Sequence, residues 1–494
     1  MSIRNGSFPL PARRAVLATV FTLACLAGAV PAKPSEAEST LLVVRASPGE
    51  TAGIAERNRL TILDRLVDSA GDEIALMRIE TPAAGTRVAT ALVAREPSIK
   101  AAEVALYAEL PELRPTAELM QSTMALLDAL AEEGVVTLGI REDGTPRKIW
   151  SGYADQPGAR MVRVRQAHLQ GIGNGTVIAI VDSGIDLLHP VFADRLLAGW
   201  DFLEDRPENA SIRSSTDEST MAKLDQSTMA ILDRHTRAFV SGSDVEAMAI
   251  DDSTTALVAA GVGDALDGRL APAFGHGTMV AGVAHLVAPG ASILPLRAFD
   301  DQGRACTFDL IQAIYHAVRN GATVINMSFN LAQRSAELER AIAHAARRGV
   351  ITVASAGNDG SSTLVYPAAL PATIGIAATD LDDFVAPFSN FGSDLVALAA
   401  PGVSVITSYP GGGWAAASGT SFSAPWVSGA VALLAEHAAR GAVSLELDRV
   451  LGALAHSAQV QGPLAFDVGF GRVDVESANQ NLGIAPSSET GNVQ

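Results

Sequence analysis

The stretch "TVIAIVDSGID", residues 176–186, carries the reading on which the fold rests. Five apolar residues, Val177 to Val181, follow one another without interruption and end at Asp182 and a glycine turn. A strand with one wet face alternates polar and apolar residues. A strand apolar throughout is covered on both faces, as in a parallel sheet layered between helices. "SILPLRAF" (292–299), "TVINMSF" (323–329), "GVITVASAG" (349–357), "TIGIAATD" (373–380) and "LVALAAPG" (395–402) have the same character, with helical segments between them. We therefore expect an α/β domain built on a mostly parallel sheet with helices on both faces. Such sheets gather their chemistry beyond the carboxyl ends of the strands, which is where Asp182 stands.

Two further stretches supply what a lone carboxylate lacks. "FGHGTMVAG" (274–282) places His276 between glycines at the start of an apolar helix, and "GTSFSAP" (419–425) places Ser421 at another helix start. A free serine hydroxyl is a weak nucleophile and needs a base to take its proton. Histidine titrates near neutral pH and fits that task. A buried carboxylate then fixes the ring tautomer and stabilises the imidazolium as it forms. Acyl transfer also needs a donor for the developing oxyanion. "ASAGND" (354–359) offers Asn358, beside the backbone N–H of Ser421 at its helix N-terminus. Ser418, Thr420 and Ser423 crowd the same helix start, where one capping hydroxyl would suffice.

Competing assignments exist for each group. Of the nine histidines, His189 in "DLLHP" also follows the Asp182 strand, but it is read as a support for its loop. Asp186 lies too far past the strand end for the acid, Ser423 reads as a helix-start hydroxyl, and Asn358 has an Asx turn as its alternative role. "GIGNG" (171–175) precedes a strand instead of opening a helix, so it is a turn and not a dinucleotide fingerprint.

Taken together, "DSGID", "HGTMVAG", "AGN" and "GTSFSAP" in that order resemble the subtilisin-like serine peptidases (subtilases, peptidase S8). The likeness runs from "QAHLQGIGNGTVIAIVDSGIDLLHP" (166–190) to "GFGRVDVESA" (469–478). It implies a subtilisin-like fold, hydrolysis of peptide bonds, protein or peptide substrates, and no cofactor for the chemistry. It also implies a substrate-binding edge at Ser328, Phe329 and Asn330, the last two standing where many relatives carry Leu and Gly. Val365 takes the place of a glycine that often floors the specificity pocket, so small or medium apolar residues are expected at the cleaved position. The resemblance further suggests a cis bond between Tyr366 and Pro367. Val191 replaces a common calcium-ligand aspartate, which leaves metal ligands unassigned and structural calcium uncertain. The acidic "DFLEDRPEN" (201–209) reads as a solvated loop.

The remaining chain is organised around that domain. Residues 1–32 combine Arg4, Arg13 and Arg14 with the apolar "AVLATVFTLACLAGAV" and a "VPA" ending, a signal peptide too short to span a membrane. Its removal leaves Cys306 as the single cysteine, so no intramolecular disulfide is expected. Residues 33–112 alternate as β-α-β-β-α-β, a ferredoxin-like module that resembles the family's inhibitor I9-like propeptide and implies an intramolecular inhibitor. Residues 113–150 read as a linker, 151–482 as the peptidase domain with an insertion at about 203–270, and 483–494 as a flexible tail. The insertion holds "STMAKLDQ" and "STMAILDR" (219–234) in tandem, whose Met221, Leu224, Met229 and Leu232 share one face if helical. A net charge of −18 argues against nucleic acid as a partner. The expectation is an exported enzyme, periplasmic or extracellular. A serine esterase would more usually show a "GxSxG" elbow, which "GTSFS" is not. A binding protein on the same scaffold would show a lost triad residue, and none is lost.

Overall fold

The computed structural model describes residues 40–79, 85–110, 135–140, 146–208, 230–231, 275–300, 303–455, 462 and 467–482. The signal segment, residues 483–494 and nearly all of the repeat lie outside these.

The N-terminal module runs β1 (Leu41–Ala46), α1 (Thr51–Asn58), β2 (Leu60–Val67), β3 (Glu73–Ile79), α2 (Gly85–Arg95) and β4 (Ile99–Val104). Its sheet is antiparallel in the order β2-β3-β1-β4, the expected βαββαβ arrangement. β1 is apolar on both faces for a physical reason. Leu42, Val44 and Ala46 pack under the module's own helices with Ile54 and Leu92, whereas Val43 joins the core of the larger domain. Arg45 crosses the same boundary. Its guanidinium is buried between Asp68 of the module and Glu337 of the larger domain. A charge removed from water requires such partners on every side.

After β4 the chain continues through β5 (Tyr107–Glu109) to β6 (Val135–Ile140) and β7 (Pro146–Trp150). The last two pair antiparallel, so residues 135–140 and 146–150 form strands within the segment read from the sequence as a linker. Leu138, Ile149 and Trp150 are buried in the main core, and Trp150 lies 6.0 Å from the ring of Trp414.

The main sheet has eight strands: β8 (Val177–Asp182), β9 (Gly199–Asp201), β10 (Arg206–Glu208), β12 (Ser292–Arg297), β14 (Val324–Met327), β15 (Ile351–Ser355), β16 (Thr373–Thr379) and β17 (Leu398–Pro401). Their order is β10-β9-β12-β8-β14-β15-β16-β17. All neighbours are parallel except the edge pair β10–β9. The alternation along β8 sorts residues between two layers: Ile178 and Ile180 face one core, Ala179 and Val181 the other. By the same alternation Asp182 falls on the Ile178 side.

That side is packed by two helices, the histidine helix (His276–Val287) and the serine helix (Thr420–Arg440). Both are buried all round, as their apolar composition requires. They touch at Gly429, where a Cβ would stand 2.5 Å from that of Val287. A small sheet, β18 (Val405–Tyr409) with β19 (Gly413–Ala417), leads into the serine helix. Its free edge is taken by β11 (Ala230–Ile231), so the second repeat copy is extended at those two residues instead of helical. An open ladder edge offers backbone partners that a lone surface helix does not. Among the described residues no helix is long and apolar enough to cross a membrane.

Candidate active site

Asp182 ends β8 fully buried, and its Oδ1 accepts the backbone N–H of Ser183 at 2.7 Å. His276 is the first residue of its helix, and its Nδ1 lies 2.9 and 3.0 Å from the two carboxylate oxygens of Asp182. Gly277 permits this approach. A Cβ there would fall 2.2 Å from the carbonyl oxygen of Gly184 and 3.1 Å from the Asp182 carboxylate. With Nδ1–H given to the carboxylate, Nε2 is left with its lone pair, and it is buried with no hydrogen-bond partner among the described residues. The His276 ring packs against Phe422 at 5.5 Å between centroids.

Ser421, the residue before Phe422, is the second residue of the serine helix. Its Oγ turns to the carbonyl of Ser328 at 3.5 Å. Asp182 and His276 are joined directly, while Ser421 Oγ is given to Ser328 and forms no hydrogen bond with His276.

Asn358 follows β15 at the carboxyl edge of the sheet. Its Oδ1 accepts from both the backbone N–H (2.9 Å) and the hydroxyl (2.8 Å) of Thr420. The amide is thereby held with Nδ2 toward Gly419, where a Cβ would lie 3.3 Å away. A donor is thus aimed at the front of the serine helix.

The crowd of hydroxyls now has separate employments. Thr420 accepts the Gly357 N–H, Ser418 accepts the Ser404 N–H, and Ser423 donates to the carbonyl of Pro401. Further along the helix Ser428 donates to Asn326 Oδ1, whose Nδ2 donates to Ser328 Oγ, which in turn donates to the carbonyl of Ser421. This buried chain ties the serine helix to β14. The polar Asn326 inside an apolar strand was its signal in the sequence.

The expected substrate edge divides by alternation. Ser328 continues the Asn326 face toward the serine helix, while Phe329 follows Ile325 and Met327 into the opposite core. Phe329 is fully buried and packs on Phe299 with ring centroids 5.2 Å apart. Its side chain joins the apolar cluster that also holds Ala108 and Leu110, the residues flanking Glu109. Asn330 presents its backbone: its N–H and carbonyl both pair with Glu109 of β5, each at 3.0 Å. On its other side β5 pairs antiparallel with β13 (Arg304–Cys306). Val365 is buried beside this edge, and the Tyr366–Pro367 bond that follows it is cis.

The competing residues have supporting roles. Asp186 accepts backbone N–H groups of Leu188 and Gly411, and His189 caps its own loop at Val191 while contacting the carbonyl of Gly413. Burial lowers the pKa of His189. Burial likewise pushes the Cys306 thiol up to about 12, so it offers no thiolate at neutral pH. Among the described residues no group of three or more His, Cys, Asp or Glu is arranged to hold a metal ion.

Residues 173–472 match the Subtilase family. The chain is 30% identical over 284 residues to a thermophilic serine proteinase from Bacillus sp. (strain AK1), covering 56% of this chain and 58% of that one. It is 29% identical over 314 residues to thermitase from Thermoactinomyces vulgaris, covering 60% of this chain and 90% of thermitase. Over 169 residues, 32% of this chain and 62% of the other, it is 39% identical to subtilisin BL of Lederbergia lenta. In structure it is similar to fervidolysin from Fervidobacterium pennivorans, a keratinolytic enzyme related to subtilisin, with a TM-score of 0.61 and 20% identity, covering 91% of this chain and 62% of that one.

Proposed function

Because the chain belongs to the subtilase family, we propose that it is an exported serine endopeptidase, made as a precursor whose N-terminal module holds it inactive. What supports this reading most directly is the Asp182–His276 pair set against the helix start that carries Ser421.

The reaction follows from those groups. Ser421 Oγ attacks the carbonyl carbon of the substrate peptide as His276 Nε2 takes its proton. Asp182 holds the ring in the productive tautomer and stabilises the imidazolium. The tetrahedral oxyanion is held by Asn358 Nδ2 and the Ser421 backbone N–H. Collapse breaks the C–N bond, and the leaving amine takes its proton from His276. Water then repeats the sequence on the acyl-enzyme and frees the acid. Protein groups carry every step, so no cofactor is required.

Ser328 and Asn330 act as the substrate edge through their backbones, and Val365 limits the depth of the pocket for the cleaved residue. The module, residues 33–112, blocks the edge with β5 until it is cut away.

Expression of the full chain and of Ser421→Ala tests the proposal. Self-cleavage in the first alone, read from band sizes and mature N-termini, is the expected result. Identical processing of both would overturn it.

A further inference from the structure

Pro425 is the fourth residue after Ser421 in one continuous helix. A helical carbonyl accepts the N–H four residues on, and proline has none to give. The carbonyl of Ser421 is thus released from the helical ladder on a buried turn, where it needs another donor. Ser328 Oγ supplies it at 2.9 Å. The carbonyl of the same Ser328 lies 3.5 Å from Ser421 Oγ, so one residue beyond β14 touches both the backbone and the hydroxyl of Ser421.

A hydroxyl rotates unless its partners fix it. Asn326 Nδ2 donates to Ser328 Oγ at 2.9 Å, which occupies the acceptor side and leaves the proton for Ser421. The amide of Asn326 has two unlike ends, and turned over it would present Oδ1 to Ser328 and draw that proton away. Ser428 holds it the right way round: its Oγ donates to Asn326 Oδ1 at 2.8 Å, against 3.4 Å to its alternative acceptor, the carbonyl of Ala424. Without this donor either orientation of the amide leaves one buried polar atom bare, and the direction of the chain is no longer set. Ser428 lies about two turns beyond Ser421 on the same face of the helix. The helix therefore reaches back to its own second residue by way of β14. Asn326, Ser328, Ser421 and Ser428 are all buried, so bulk water does not replace any of these partners.

We propose that Ser428 is a positioning residue: through Asn326 and Ser328 it fixes the carbonyl of Ser421, and with it the place from which Ser421 Oγ attacks. This rests on the peptidase reading and adds to its machinery a residue that touches neither substrate nor the triad.

The test compares the full chain with Ser428→Ala, Ser328→Ala and the double variant, each incubated until casein digestion is constant. kcat and KM on a small peptide amide are measured per active site, titrated by end-point fluorophosphonate labelling, together with the initial rate of that labelling and the thermal midpoint. Alanine is well suited to a helix interior, so Ser428→Ala retains the helix. It is expected to lower kcat and the labelling rate by about ten-fold, with KM within about two-fold of the parent's. The double variant is expected to be no slower than Ser328→Ala alone, because Ser428 acts only through Ser328. A lower thermal midpoint with kcat and labelling rate unchanged in Ser428→Ala would make the residue structural and overturn the inference. Losses that multiply in the double variant would also overturn it. Where Ser328→Ala does not fold, kcat and labelling rate in Ser428→Ala decide alone. Casein digestion and labelling in the parent keep the peptidase reading standing when the inference falls. Absence of both in the parent would overturn the peptidase reading and the inference with it.

Discussion

His276 Nδ1 stands within 3.0 Å of both carboxylate oxygens of Asp182, at the buried end of β8. The carboxylate can only accept, so it selects the tautomer with the proton on Nδ1 and leaves Nε2 basic. Asp182→Asn replaces one acceptor oxygen by a donor and favours the opposite tautomer. Steady-state kinetics on a small peptide amide should show kcat lower by about 10⁴-fold with KM little changed. A loss below about ten-fold would remove Asp182 from the mechanism.

Asn358 has two functions that substitution can separate. Its Oδ1 anchors Thr420, and its Nδ2 is the proposed oxyanion donor. Asn358→Ala removes both, whereas Asn358→Asp keeps the acceptor and removes the donor. We expect kcat to fall by about 10²–10³-fold in Asn358→Ala and by at least as much in Asn358→Asp. The thermal midpoint should fall only in the alanine variant. Rescue of kcat by aspartate would mean that the residue serves Thr420 alone.

Much of this site was legible because its chemistry coincides with strong local signals. An unbroken apolar run places Asp182 in a doubly covered strand, and Gly277 follows His276 where the helix start meets the Gly184 carbonyl. The links that were missed are long-range. Ser428, Asn326 and Ser328 form one buried chain although Ser428 and Asn326 are 102 residues apart, and no local pattern pairs them. The docking of β5 between β13 and Asn330 likewise depends on two edges that only the folded chain brings together.

Val365 offers a test of specificity. Its side chain is 7% exposed, beside the edge that holds Ser328 and Asn330. Val365→Gly removes that bulk and should raise kcat/KM for phenylalanine relative to alanine at the cleaved position by about ten-fold. The vacated apolar volume should also cost about 1–3 kcal/mol of stability. An unchanged ratio on paired substrates would separate Val365 from the pocket.

Asp309 links pH to the contact between module and larger domain. It stands in the first turn of the helix Thr307–Arg319, near Asp64 of β2, whose carboxylate accepts from Gln312. Burial and then the Asp64 charge raise Asp309 from 3.8 to about 7. Between those values the folded chain keeps a proton that the unfolded chain releases. The contribution of this group is complete below pH 3.8 and is lost as pH rises through about 7. Asp309→Asn holds no titrating proton, so its thermal midpoint should gain on the parent's from pH 4 to pH 7. Above about pH 8 the gain should level off, at a value on the order of 2 °C or more. The comparison belongs in a Ser421→Ala background, where self-cleavage cannot remove the module during the scan. Because Asp64 lies on the module, release of the module should become easier over the same interval. A midpoint difference that is constant from pH 4 to pH 8.5 would show that the two carboxylates do not share a proton-dependent contact.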